Sequence, residues 1–238
     1  MAASPRRSKS VTKATPKKAP GGPSRRPGAA GRGARPGPEG ESTMERILRV
    51  VAAMYREHGY DQCSMADMAK RVGFSAPAFY HYFRSKEEIL AAFLEYTIAD
   101  LLATVSARIK GDTWSEKLAS FMRAYVLWHL QQTPFPEAYE RIFALGHLRN
   151  SLPPLLRKKI LASERKFYEL CRELVAGGIA AREFRKTPVA PATFAILGIS
   201  DYILGWYRSK GPLTPARLAD EYAELVVRML QADKKPSK

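Results

Sequence analysis

The sequence predicts an all-α protein of about nine helices. Apolar residues recur at the helical period of 3.6 in the long segments that follow residue 42. Serine or threonine, followed by proline or by an acid three residues later, precedes most of these segments and marks helix starts. No segment alternates apolar and polar residues for long enough to indicate a strand. We therefore expect helices connected by short turns.

Composition limits the class of protein. The 238 residues can form one or two domains, and the formal net charge is +16. Residues 1–40 hold ten Lys or Arg against one acid, so they carry +9 and leave +7 for the remainder. Both parts favour a polyanionic partner. Apolar runs are interrupted by charges before they reach membrane-spanning length, so no membrane partner is expected. The two cysteines, Cys63 and Cys171, fit a reducing cytoplasmic location and support neither a disulfide framework nor a metal site.

The N-terminal tail is rich in Pro, Gly, Ala, Ser and basic residues, and we expect it to be disordered. Such a tail would add salt-dependent, sequence-independent affinity for DNA. A transit peptide is compatible with its composition, although the amphipathic helix of such peptides is missing. Met44 lies at the start of the first predicted helix, so part of the tail could also be an upstream extension of the reading frame.

The first two helices have clear boundaries. Ser42 and Glu45 form a capping-box pattern at the start of a helix predicted at 43–58. Ser64 can cap a second helix, which ends at Gly73 because glycine allows a turn with positive φ. The apolar stripe of this second helix is Met65, Met68, Ala69 and Val72.

A third helix follows that turn directly. Ser75 can act as its N-cap, and Pro77 lies in its first turn, where the missing N–H leaves no internal bond unmade. We expect Phe79 and Tyr82 to point into the core. The side chains left on or near the outer face are Ala76, Pro77, Ala78, Tyr80 and His81. That face suits a recognition helix in the major groove, although the three helices could also pack for stability alone.

The expected contacts with DNA divide into two kinds. Ala76 and Pro77 would make close apolar contact near base edges. The start of the fourth helix, with Lys86 beside its exposed N–H groups, suits a phosphate oxygen. The residues expected mainly to position the DNA backbone are Ser64, Ser75, Tyr80, His81 and Lys86.

The run from about Arg46 to Leu94, especially GFSAPAFYHYFRSKEEIL, closely resembles the DNA-binding domain of the TetR family of transcriptional regulators. Ala76-Pro77 departs from the Lys or Gly usual after the turn, so base preference does not carry over. The resemblance implies an N-terminal three-helix helix-turn-helix DNA-binding domain and a C-terminal helical ligand-binding and dimerisation domain. It also implies a homodimer on a palindromic double-stranded DNA operator, a repressor released by a small-molecule effector, and neither enzyme activity nor a cofactor.

We divide the chain accordingly into a basic tail at 1–41, the DNA-binding domain at 42–88, the effector domain at 89–232 and a basic end at 233–238. The remaining predicted helices are a fourth at 86–109, a fifth capped by Thr113 and Glu116, a sixth between the break at 133–136 and Leu148, a seventh from Pro153-Pro154 to Gly177-Gly178, an eighth from Thr187-Pro188 to about Ser209, and a ninth from Thr214-Pro215 to about Leu230.

The effector domain contains many aromatics and few charges, which favours an apolar pocket with a few polar groups. For each aromatic residue, core packing is the alternative. The candidate ligand-binding residues are Trp114, Phe121, Tyr125, Trp128, His129, Phe143, His147, Arg149, Phe167 and Trp206.

The last two helices are the pair that forms the dimer interface in this family. Ordinary intramolecular packing is the alternative. The candidate interface residues are Ala195, Gly198, Tyr202 and Gly205. Residues 141–160 and 195–219 also resemble TetR regulators that respond to acyl-coenzyme A thioesters, which implies such an effector. Arg149 and the basic run 157–159 could meet coenzyme A phosphates or could simply form a solvated helix face.

Two other classes of function are the alternatives to a regulator. The chain has no phosphate-binding loop, zinc-protease motif or nucleophile elbow, so it is not expected to be an enzyme. The alternative within DNA binding is a sequence-nonspecific architectural protein driven by the basic tail.

Overall fold

The protein is described as a computed structural model, which covers residues 41–132, 150, 152–208 and 210–231, with the backbone alone at residues 56, 131 and 132. These residues form helices and no strand; an isolated antiparallel bridge joins Phe184 to Gln231. The helices are α1 (Thr43–His58), α2 (Met65–Val72), α3 (Ala76–Tyr82), α4 (Lys86–Ser106), α5 (Trp114–Leu127), α6 (Pro154–Ala180), α7 (Val189–Asp201), α8 (Ile203–Trp206) and α9 (Pro215–Leu230). One π-helical turn, Trp128–Gln132, extends α5.

Most predicted helix starts are confirmed. Both capping boxes form, with Ser42 and Glu45 at α1 and with Thr113 and Glu116 at α5. Thr214 accepts a hydrogen bond from the Arg217 N–H at the start of α9. These contacts join residues three apart, so the sequence pattern is sufficient to predict them.

The end predicted for the seventh helix is wrong. Helix α6 continues through Gly177 and Gly178 to Ala180. A Cβ at Gly177 would lie 2.4 Å from the ring of Trp114, and one at Gly178 would lie 2.1 Å from the ring of Phe184. The two glycines therefore allow aromatic rings to approach the helix and do not terminate it.

The predicted eighth helix is also different. It begins at Val189 with Pro188 as its N-cap and no side-chain cap, so the capping role expected of Thr187 is wrong. It breaks at Tyr202, and the short helix α8 follows. The fourth helix ends at Ser106, three residues earlier than predicted. The predicted break at 133–136 and the whole predicted sixth helix lie outside the described residues.

Two groups of buried side chains fill the described part of the chain. The N-terminal core joins α1, α2, α3 and the first half of α4, and it also includes Leu152 and Ile160. The C-terminal core joins the second half of α4 to α5, α6, α7, α8 and α9. Helix α4 passes from one core to the other between Ile98 and Leu101.

Among the described residues, two segments, Lys86–Ser106 and Val189–Trp206, are long and apolar enough by composition to cross a membrane. Half of the apolar window in the first is buried, because α4 contributes to both cores. Only 28% of the window in the second is buried. The second segment buries Ile196 and Ile203 and leaves Phe194, Tyr202 and Trp206 exposed.

Candidate DNA-binding and effector sites

The turn between α2 and α3 has the geometry of a tight helix-turn-helix corner. Gly73 adopts a left-handed conformation at φ 85° and ψ 29°. The carbonyl of Ala69 accepts from the N–H of Gly73 at 3.0 Å and from that of Phe74 at 2.9 Å. Ala69 is 2% exposed, so its small side chain lets the helices approach closely. Ser75 then accepts from the Ala78 N–H at 3.4 Å and starts α3.

Helix α3 has one exposed face and one buried face. The predicted DNA contacts Ala76, Pro77, Tyr80 and His81 are all exposed. Phe79 is fully buried, as predicted, but the inward position predicted for Tyr82 is wrong. Tyr82 is 45% exposed and stacks on Phe74 with ring centroids 5.6 Å apart.

The backbone becomes extended at Phe83, directly after α3. Phe83 is 4% exposed and occupies the buried position that was predicted for Tyr82. The neighbouring Arg46 guanidinium lies 5.3 Å from the Phe74 ring centroid. The stacked group of Arg46, Phe74 and Tyr82 was not assigned from the sequence, because it joins α1 to the corner through residues far apart in the chain.

The other two predicted DNA contacts lie at helix starts. The Ser64 hydroxyl accepts from the Asp67 N–H at 3.1 Å and donates to the Asp67 carboxylate at 2.5 Å. Lys86 donates to the Asp61 carbonyl at 3.2 Å and lies 4.6 Å from the Tyr60 ring centroid. Because an ammonium has three donors, these contacts hold Lys86 in place and leave donors for a phosphate.

A cavity of about 320 Å³ lies among α4, α5, α6 and α7. Of the residues predicted to bind ligand, Tyr125 and Phe167 line it. Gly198, predicted for the dimer interface, also lines it. The full lining is Ile98, Leu101, Tyr125, Glu164, Phe167, Tyr168, Phe194, Leu197, Gly198 and Asp201.

Asp201 forms the polar part of this wall. The Tyr125 hydroxyl donates to its Oδ1 at 2.5 Å, and the Nε2 of His129 lies 3.9 Å from the same oxygen. Although 58% of the Asp201 side-chain surface is accessible, desolvation by nearby protein atoms raises its pKa. The Tyr125 hydrogen bond opposes that rise, and the Glu164 charge adds to it. Burial lowers the pKa of His129 to about 4, so its imidazole is neutral at pH 7.

Within the described part of the chain, the other predicted ligand residues do not line the cavity. Phe121 and Trp128 are fully buried; the Phe121 ring packs on Phe167, and the Trp128 indole donates to Asp100 at 2.6 Å. Trp114 packs against Gly177, about 16 Å along α5 from Tyr125 at a rise of 1.5 Å per residue. Trp206 lies on α8 and is 41% exposed. Phe143, His147 and Arg149 lie outside the described residues.

The predicted dimer residues Ala195, Gly198, Tyr202 and Gly205 are all exposed. A Cβ added at Gly198 would meet nothing within 4 Å, so its small size leaves open space outside the helix. Large apolar side chains with 41–72% exposure also lie on α7, α9 and the segment that connects them. They are Phe194, Tyr202, Trp206 and Leu225, and we call this group the apolar stripe.

The corner, the outward face of α3 and the separate helical core define a helix-turn-helix DNA-binding protein with a C-terminal helical domain. Residues 47–93 match the family model of bacterial regulatory proteins of the tetR family. Residues 111–230 match the tetracyclin repressor-like C-terminal domain. The chain belongs to the TetR family of transcriptional regulators.

Individual relatives agree with this assignment. The transcriptional repressor KstR2 of Mycobacterium tuberculosis is 25% identical over 78% of this chain and 92% of its own length. The TetR regulator PfmR of Thermus thermophilus is 31% identical, with a TM-score of 0.66 over 77% of this chain and 97% of that one. AibR, solved with isovaleryl coenzyme A and operator DNA, shares the fold at 22% identity, with a TM-score of 0.65 over 80% of this chain and 98% of that one.

Proposed function

We propose that the protein is a ligand-responsive, sequence-specific repressor that acts in the cytoplasm as a homodimer on a palindromic operator. One observation carries this proposal: Ile98 and Leu101 of α4 line the cavity. Ile98 belongs to the N-terminal core and Leu101 to the C-terminal core, so the cavity lies where α4 passes from one core to the other. The same helix begins at Lys86, beside the face predicted to meet DNA. A molecule in the cavity therefore contacts the helix that joins the two cores.

The mechanism follows from that position. A ligand that contacts Ile98 and Leu101 would shift α4 and change the separation of the two recognition helices in a dimer. Half-sites in successive major grooves lie about 34 Å apart, so a changed separation weakens binding to both at once. The ligand must bind the released arrangement more tightly than the DNA-bound one, because equal affinity would shift no population.

The apolar stripe supports the homodimer. Exposed contiguous apolar surface is uncommon on monomeric proteins and marks interaction sites. A second copy packed on α7 and α9 would cover Phe194, Tyr202 and Leu225. Such an arrangement would give the two recognition helices the symmetry of a palindrome.

The effector that we propose is an acyl-coenzyme A thioester. Ligand sites are mainly apolar with a few polar groups, and eight of the ten residues that line this cavity are uncharged. Lys158 and Lys159 are exposed near the start of α6, where they are available to phosphates. Isovaleryl coenzyme A in the similarly folded AibR is consistent with this class of effector.

The test is fluorescence anisotropy of the full chain on labelled DNA from upstream of its own gene. We expect specific binding, release by one acyl-coenzyme A thioester and no release by free coenzyme A. Specific DNA binding that no thioester weakens would overturn the proposal of an acyl-coenzyme A effector. Loss of specific binding on removal of residues 1–40 would overturn the role of the helix-turn-helix and favour the architectural alternative.

Lys86→Ala should weaken DNA binding evenly across sequences and reduce the salt slope by about one phosphate contact. Lys117→Ala is the matched control, because Lys117 also lies over an aromatic ring, that of Trp114, but in the C-terminal core. Titrations at several salt concentrations measure both slopes. An unchanged slope for Lys86→Ala would contradict its role at a phosphate.

A further inference from the structure

The charge of the cavity wall restricts what can bind there. Asp201 and Glu164 line the cavity, and among the described residues no Lys or Arg does. Arg165, which follows Glu164 on α6, forms an ion pair with Glu169 and lies over the Tyr168 ring. His129, behind Tyr125, is neutral at pH 7 because burial lowers its pKa. The described wall is therefore apolar with two acids.

The acceptor capacity of Asp201 is only partly used. Tyr125 donates to Oδ1, and a carboxylate can accept about four hydrogen bonds through its two oxygens. The 58% accessible side chain of Asp201 can thus accept a donor from a bound molecule. A carboxylate on that molecule would be desolvated beside acids of the same charge, which is strongly unfavourable.

We propose that this cavity selects an apolar group that carries a hydrogen-bond donor, either a hydroxyl or an ammonium, directed at Asp201, and that it rejects anionic groups. The inference deepens the proposed effector site and rests on it. For a thioester effector, the acyl group would carry the donor and the anionic coenzyme would remain outside the cavity. A site built to hydrogen-bond a polar group discriminates strongly against molecules that lack it.

The size of the cavity suggests the probes. A volume of about 320 Å³ is at the small end of the range for ligand sites, so a compact eight-carbon chain is a suitable body. 1-Octanol, octylamine and octanoate share that body and differ in the terminal group. Their affinities for the full chain at pH 7, measured by isothermal titration calorimetry, isolate the contribution of the donor and of the charge.

We expect 1-octanol and octylamine to bind at least about tenfold more tightly than octanoate. Asp201→Asn should reduce the difference between octylamine and octanoate to less than about threefold, because it removes the charge and keeps an acceptor for Tyr125. Glu164→Gln should reduce the same difference to a smaller extent, and it provides a second variant should Asp201→Asn fail to fold. Glu173→Gln, an exposed position on the same helix outside the cavity, is the control and should bind all three probes as the unmodified protein does.

Octanoate binding as tight as that of octylamine would overturn the inference, as would no binding of any probe or unchanged discrimination in both acid variants. DNA anisotropy on the same samples separates this result from the proposed function. Selective octylamine binding without a change in DNA affinity would keep the inference about the cavity and overturn its coupling to DNA. Release of DNA by a thioester, with no discrimination among the octyl probes, would keep the regulator and overturn the inference.

Discussion

The N-terminal and C-terminal cores are both built from amphipathic helices, but they expose different surfaces. The N-terminal core buries Phe79 and Phe83 and presents the short face of α3, with Ala76 and Pro77 at its start. The C-terminal core leaves the apolar stripe exposed and surrounds a cavity with acids in its wall. The first region offers a surface for DNA. The second has surfaces that a second copy and an effector would complete.

The sharpest test of this comparison is a pair of adjacent aromatic residues on α3. Phe79 is fully buried and Tyr80 is 49% exposed. Phe79→Ala should lower the free energy of unfolding by about 3–5 kcal/mol through lost burial and a new cavity. Tyr80→Ala should change it by less than about 0.5 kcal/mol and weaken DNA binding instead. Urea unfolding and anisotropy measure the two effects, and a large stability loss for Tyr80→Ala would contradict the assigned outer face.

The stability of the C-terminal core should depend on pH through His129. Its pKa falls from 6.5 to about 4 on folding, because burial disfavours the charged imidazole. Below pH 6.5 the unfolded chain binds more protons, so stability should fall as the pH falls towards about 4. The full difference is about 3 kcal/mol at about 1.36 kcal/mol per pKa unit. His129→Leu should remove this part of the pH dependence in urea unfolding between about pH 7.5 and 4.5; an identical profile would contradict the burial of a neutral imidazole.

Two glycines test which surfaces of the C-terminal core are packed. Gly178→Ala should destabilise by about 1–3 kcal/mol, because its Cβ would overlap the Phe184 ring. Gly198→Ala meets nothing within 4 Å and should stabilise an isolated chain by about 0.5–1 kcal/mol through helix propensity. Thermal unfolding at two protein concentrations measures both. A loss of stability for Gly198→Ala only at the higher concentration would place this glycine in a dimer contact.

The loss of a helix cap should have a small effect on stability, and the effect should be similar in the two regions. Ser64→Ala and Thr113→Ala each remove an acceptor for a backbone N–H, and each should cost about 1 kcal/mol. Urea unfolding measures the stability. Only Ser64→Ala should also weaken DNA binding, which is measured by anisotropy. Equal loss of DNA affinity in both variants would indicate a general effect of stability instead.

Much of the fold follows from local sequence patterns. The caps at Ser42, Ser75, Thr113 and Thr214 and the left-handed Gly73 form as predicted, because each depends on residues within about four positions. The apolar periodicity likewise predicted the buried stripe of α2, whose residues Met68, Ala69 and Val72 are buried. The exposure of the residues predicted to contact DNA follows largely from their positions on one short helix, although Tyr82 on that helix was placed wrongly.

Tertiary structure decided the features that join distant residues. Trp114 packs against Gly177, and its backbone N–H donates to the Glu183 carboxylate at 3.0 Å. It therefore lies away from the cavity, although its position among the aromatic residues of α5 had suggested a ligand contact. Asp201 meets Tyr125 from 76 residues further along the chain. By itself, the sequence determined where most helices begin and which of their faces are apolar. Caps join residues three apart, and the 3.6-residue period assigns each side chain to a face. Which aromatic residue fills a core and which lines a cavity depends on the shape of the facing helices, and only the folded chain brings those together.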